Sequence, residues 1–327
     1  VKKSNRILIA IAGGLAAALL HASVVALTPL SALLFYLAPL PLFMVGLSQG
    51  WTGALASAAV GGGILAAIWG AKTGLFFLVA SAIGPVILSR LALINRPAAS
   101  SVSEGEAHGS GVQWYPEGRL ILWAAALSGA LLTLVILFLG PDAESFRATL
   151  KEIAAKLADP LQKNLPAQQQ AGFAQLVDFM VMLAPVASAA TWLVAMTINL
   201  YLASRLLKSW GLSLRPWSPF HSLAFPRKAG VALAAAGALS LMPGTAGLLG
   251  TVYAAPLCAA FAILGLAVVH FLLLNHTARV ALLAGLYAAL ILLSWIVMLP
   301  LIALGLAELG WNIRARYRSQ HPLNRKS

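Results

Sequence analysis

Acid is scarce in this chain. It carries 9 Asp and Glu among 327 residues, against 22 Lys and Arg. Only 9% of its side chains are charged, where a soluble domain carries roughly 25%. It has 1 cysteine, Cys258, set in an apolar run, so one chain can build no disulfide and no cysteine-based metal site. Recognisable catalytic signatures are missing as well. There is no H-E-x-x-H and no paired-histidine spacing, which removes the common metalloprotease reading. Gly70-Ala71-Lys72-Thr73 makes a poor phosphate loop, because Ala71 precedes the lysine and Ala66 stands where the first glycine belongs. Gly61-Gly62-Gly63 lies inside an apolar run and lacks the dinucleotide fingerprint. The expectation is a protein without enzymatic activity, cofactor or metal.

What remains is apolar. Hydrophobic side chains make up 60% of the sequence, and the mean hydropathy is +0.88. A water-facing surface cannot be built from that composition. Secreted disulfide scaffolds, disordered chains and cytosolic enzymes are thereby excluded. The fold class expected is all-α, a polytopic transmembrane helical bundle. About 20 apolar residues cross a hydrocarbon core, and on that ruler nine segments stand out: 7–26, 30–47, 51–70, 73–94, 120–139, 173–207, 229–241, 248–274 and 281–306. The seventh is the weakest, being alanine-rich and cut by Pro243-Gly244. The first resembles a signal peptide but is read as an uncleaved span. The expected count is eight or nine spans.

The organisation follows from that pattern. Residues 1–94 hold the first four spans, and 95–118 form a polar linker. Residues 119–207 hold the fifth and sixth spans, with an amphipathic segment at 141–170 between them. A loop at 208–228, further spans over 229–308 and a basic tail at 309–327 complete the chain. Basic residues cluster beside the span ends: Arg90, Arg96 and Arg119; Arg205, Lys208, Arg215, Arg227 and Lys228; Arg314, Arg316, Arg318, Arg325 and Lys326. By the positive-inside rule these stretches are cytoplasmic, as is the N-terminus with Lys2, Lys3 and Arg6. A bacterial inner membrane is the expected location. The net charge of +13 is thus explained without nucleic acid. One conflict stands: nine spans would put the basic tail outside.

Phe146, Leu150, Ile153 and Leu157 form a stripe in the outer segment. It reads either as a lid over an external pocket or, preferably, as a helix resting on the bilayer surface. Polar side chains inside apolar segments are costly and mark cavities or partners. Five are candidates for solute binding: His21, Asp178, Asn199, His270 and Glu308. Asp178 leads, as the one acid in an apolar run on the outer side. Ala12 with Ala16, and Ala18 with Ala22, are small residues at the four-residue spacing that lets helices approach in lipid or meet a partner.

Longer stretches carry a resemblance. The run from Tyr36 to Gly50 followed by Trp51-Thr52-Gly53-Ala54-Leu55, the pattern from Leu183-Ala184-Pro185 through Asn199 and Arg205, the segment Gly265 to His270, and the ending Gly305 to Gly310 with Arg314 and Arg316 look like the YybS-like family of bacterial membrane proteins. Glu308 stands where an aspartate is expected. Through its first half the chain is distantly similar to the substrate-binding (S) components of energy-coupling factor transporters. That resemblance implies a six-helix core binding a small solute from outside. It also implies docking, through the alanine face of the first helix, on a coupling membrane protein carrying ATPases. The chain departs from S components in its length, its extra spans and its outer helix. The expected function is therefore small-solute binding or transport with an external energy source. The alternative is a non-transporting membrane scaffold, recruiting an envelope complex through the basic surfaces at 208–228 and 311–327.

Overall fold

The computed structural model describes residues 3–97, 111–293 and 295–320. Its helices are α1 (Lys3–Ala22), α2 (Pro29–Tyr36), α3 (Pro39–Gln49), α4 (Trp51–Trp69), α5 (Ala71–Phe77), α6 (Ile83–Ala92) and α7 (Glu117–Leu139). There follow α8 (Ala143–Lys163), α9 (Ala167–Ser209), α10 (Lys228–Ser240), α11 (Gly244–Leu272), α12 (Arg279–Leu293), α13 (Trp295–Trp311) and α14 (Ile313–Gln320). A two-stranded antiparallel ladder, β1 (Asn95–Pro97) with β2 (Val112–Trp114), is the one sheet among the described residues. The protein is an all-α membrane bundle.

Seven helical stretches among the described residues are long and apolar enough to cross a bilayer: Asn5–Ala26, Pro29–Gln49, Trp51–Trp69, Ala71–Ala92, Glu117–Leu139, Gln168–Ser209 and Gly244–Leu272. The pair Ile296–Trp311 and Ile313–Gln320, bent by 72°, makes an eighth if taken as one. The weak seventh segment is α10, 13 residues long. At 1.5 Å per residue it reaches about 20 Å, short of a roughly 30 Å hydrocarbon core. The run read as one span at 281–306 is covered by α12 and α13, on either side of residue 294, which lies outside the described residues. The linker read at 95–118 is ordered at both ends, since its flanks pair as β1 and β2 and α7 starts at Glu117. Its middle, 98–110, and the tail beyond Gln320 lie outside the described residues.

The chain forms two compact units. Unit 1 comprises Val1–Ala124 and Ala195–Pro219; unit 2 comprises Ala125–Val194 and Phe220–Ser327. In unit 1, α1 packs on α4 through glycines. A Cβ added to Gly14 would overlap the Ser57 carbonyl, and one added to Gly61 would stand 2.8 Å from the Gly14 carbonyl. With no apolar-to-water transfer to drive association in lipid, such close backbone approach supplies the dispersion contact. Ala17, Ala18, Leu42, Ala58, Leu65, Phe77 and Ala82 make the surrounding core. Helix–helix packing of α1 therefore uses Gly13, Gly14, Ala17 and Ala18. Of the expected alanines, Ala18 is buried and Ala22 packs beside this core, whereas Ala12 is exposed and Ala16 half-buried.

Unit 2 repeats the device. Gly265 abuts the Leu301 backbone and Gly305 the Phe261 backbone, so α11 and α13 meet without side chains between them. Helix α8 begins with a capping Asp142, whose Oδ1 accepts from the Ser145 amide at 2.8 Å. That hydrogen bond holds the Asp142 carboxyl below its ordinary pKa. The first turns of α8 pack Ala143 and Phe146 against Ile136, Leu248 and Val252, with Leu150 beside them. The stripe read from the sequence thus splits, since Ile153 and Leu157 stay exposed.

Candidate functional site

Two spans of unit 1 are irregular, and both irregularities begin with proline. Pro39 has no amide hydrogen to offer, and Leu40 bonds to Leu37 three residues back rather than to Tyr36. The Tyr36 carbonyl is thereby released between α2 and α3. Asn199, on α9, takes it up: its Nδ2 donates to Tyr36 O at 2.8 Å and to its own helix at Ala195 O, 2.7 Å. Asn199 is 1% exposed, and nothing among the described residues donates to its Oδ1. A buried acceptor without a partner is uncommon and marks a place where another group can bind.

The second irregularity lies between α5 and α6. Pro85 cannot donate back to Ser81, four residues earlier. The chain widens there into a π turn, Leu78–Ala82, in which the Ile83 amide bonds to Leu78 O. Single π turns of this kind recur at functional sites. Ser81 projects from the turn and is buried, and its Oγ lies 2.9 Å from Nδ1 of His21 on α1. His21 is itself 3% exposed. Its ring is walled by Phe35 at 4.8 Å, Phe77 at 5.2 Å and Phe76 at 5.5 Å between centroids. Phe35 precedes the released Tyr36 carbonyl, and Phe76 and Phe77 precede the π turn. His21 therefore stands between the two breaks. The structure brings His21 and Asn199 to the same stretch of α2, one on the Phe35 ring and one on the Tyr36 carbonyl.

The other candidates belong to unit 2 and have partners of their own. Asp178 pairs with Lys151 at 2.8 Å, and both side chains are 58% exposed. Within its apolar stretch of sequence, its carboxylate is thus exposed and paired. Glu308 is buried and ties the bend between α13 and α14: Oε2 accepts from the Arg314 amide at 3.1 Å and Oε1 from Arg314 Nε at 2.9 Å. Arg314 Nη1 donates onward to His221 O at 2.8 Å. His270 shares a hydrogen bond of 3.0 Å with the Tyr287 hydroxyl and meets the Phe220 ring edge-on at 5.3 Å. Around the Phe220–Ser222 turn, then, Glu308 and His270 hold chain segments together. Arg318 also stacks on Phe271 at 4.9 Å. That places α14 at the same end of unit 2 as residue 221. Among the described residues no three His, Cys, Asp or Glu side chains gather as a metal site.

Charge counting misjudged one residue. Arg215 sits in a basic loop yet is 5% exposed. It donates to Ala92 O at 2.8 Å, Tyr115 O at 3.0 Å and Glu117 Oε1 at 2.6 Å, and its guanidinium lies 4.4 Å from the Trp217 ring centre. Burial pulls its pKa below the ordinary arginine value, and the Glu117 carboxylate opposes the shift. The sequence did hold a signal: Glu117 is the one acid in the described part of unit 1.

Comparison with known proteins bears on the whole chain. The family described as "Predicted membrane protein (DUF2232)" matches residues 14–309. No curated protein matches the chain. No solved structure matches it either.

Proposed function

We propose that this chain, which belongs to the DUF2232 family of predicted membrane proteins, binds a small solute in unit 1 around His21. The observation that carries the reading is the position of His21 between two broken helical segments. Irregular backbone at membrane depth is tolerated where it lines a site, and transporters build substrate sites from interrupted spans. The unsatisfied Oδ1 of Asn199 offers a hydrogen-bond acceptor at the break. The hydroxyl of Ser81 and the imidazole of His21 offer a donor and an acceptor within an aromatic wall. No reaction is assigned to the chain, and any transport draws on an ion gradient or a partner. The YybS-like resemblance and the distant likeness to S components belong to this same proposal, with the exposed Ala12 and half-buried Ala16 of α1 as the face offered to a coupling protein. An inner-membrane location with the N-terminus in the cytoplasm completes it. The scaffold alternative rests on exposed cations such as Arg316 on α14.

The test is to purify the full chain from its native membrane in mild detergent and identify small molecules released on denaturation. Wild type and Asp178→Ala are expected to release the same solute, and His21→Ala none. A solute that persists in His21→Ala sinks the site. An envelope complex recovered with no solute favours the scaffold.

A further inference from the structure

Among the described residues of unit 1, cations far outnumber acids. Its one described acid, Glu117, is spent on Arg215. Arg90 is exposed, in the last turn of α6. Its guanidinium is steered by the Trp51 ring, 5.2 Å from the ring centre, at the start of α4. Beneath this pair runs a groove of about 290 Å³, lined by Trp51, Val86, Ile87, Arg90, Leu91 and Ile94. Every lining residue but Arg90 is apolar, and the groove lies where two spans end.

We propose that this groove binds an anionic phospholipid, its acyl chain against Val86, Ile87 and Leu91 and its phosphate on Arg90. Three features choose that occupant. A guanidinium fork matches a phosphodiester. The apolar floor continues into the hydrocarbon layer, where a soluble anion would gain nothing. Tryptophan at the ends of spans sits at headgroup depth. Among the described residues of unit 1 the one carboxylate, Glu117, is paired with Arg215, so none of them opposes a headgroup of net negative charge. A zwitterionic lipid would bring an amine into a site that holds only cations. The inference goes beyond the solute-binding reading and does not depend on it.

The experiment titrates the detergent-purified full chain with phosphatidylglycerol and with phosphatidylcholine of identical acyl chains, reading bound lipid by native mass spectrometry. Wild type is expected to prefer phosphatidylglycerol by about five-fold, the worth of one cation near an anionic headgroup. Arg90→Gln should abolish the preference. Ile87→Trp, which fills the groove, should weaken both lipids. Equal binding of the two lipids by wild type, or a preference that survives Arg90→Gln, overturns the proposal. So does displacement of phosphatidylglycerol by inorganic phosphate, which would show an anion site without a groove. If Arg90→Gln fails to fold, retention of both lipids by Ile87→Trp serves as the overturning result.

Discussion

Asn199 has two amide hydrogens, and the structure commits both of them to backbone carbonyls. Asn199→Ala therefore strands the Tyr36 carbonyl in a water-free interior, at a cost of about 1–3 kcal/mol. Thermal unfolding in mild detergent should show the lowered midpoint. Asn199→Asp should be no better, since a carboxylate has nothing to donate, and an unchanged midpoint would mean that Tyr36 finds another donor. Arg215 is the second residue that acts through several acceptors at once. Arg215→Met leaves Glu117 without its partner and is expected to cost about 3 kcal/mol, the lower end for a broken buried pair, because Glu117 keeps 26% of its side chain exposed. Arg215→Lys should not rescue it, as one ammonium cannot reach three acceptors in a fixed fork. At this scale the sequence was least legible. A buried arginine and a surface arginine are the same letter, so Arg215 was counted with the positive-inside charges. Asp178 was ranked first because its neighbours in sequence are apolar, yet Lys151, far along the chain, decides its surroundings. His21 and Asn199 could be named as candidates, but not the stretch of α2 where both arrive, His21 on the Phe35 ring and Asn199 on the Tyr36 carbonyl.

Helices meet in this protein where glycines remove the side chains between them. Gly305→Leu should be disruptive, because its side chain would have to occupy the Phe261 backbone, whereas Gly237 and Gly285 have open space around them. Gly285→Ala is expected to be neutral or to stabilise by up to about 1 kcal/mol through helix propensity. Unfolding midpoints of the two variants should move apart. The start of α8 carries a pH dependence of definite sign. The Asp142 carboxyl titrates below its ordinary value when folded. Its cap therefore contributes above that ordinary value, and the contribution is lost as pH falls through the lowered one. Protection of the Ser145 amide from hydrogen exchange, taken relative to the free-amide rate at each pH, should fall in acid, and Asp142→Asn should remove that dependence. Elements were read well where length and composition decide them. The weakness of the segment that became α10 was visible in its alanines and in Pro243-Gly244. The π turn was hidden, although Pro85 marked it, because a proline shows that a hydrogen bond is missing without showing how the chain closes the gap. The β1–β2 ladder was hidden for a related reason, since three-residue strands carry no period.

At the scale of the whole molecule stand a family match over residues 14–309, two compact units and, among the described residues, seven or eight helical stretches long and apolar enough to cross a bilayer. Within unit 2, α8 packs on Leu248 and Val252 near the start of α11, and Arg318 of α14 packs on Phe271 near its end. An α11 of 29 residues is about 43 Å long, so α8 and α14 pack at opposite ends of it. In a Cys258→Ser background, Lys156→Cys and Arg316→Cys should label with an impermeant thiol reagent from opposite sides, and labelling from one side would refute the arrangement. Chain order gives the division into units a further meaning. Unit 1 closes only with Ala195–Pro219, the stretch that supplies both Asn199 and Arg215. During synthesis the first four spans are therefore laid into the membrane well before the side chains that will fasten them have been made. Until that late segment emerges, the Tyr36, Ala92 and Tyr115 carbonyls wait for their donors. The N-terminal half of this protein is thus dependent on the ribosome's later progress, and a nascent chain halted before residue 195 should be a preferred target of membrane proteolysis.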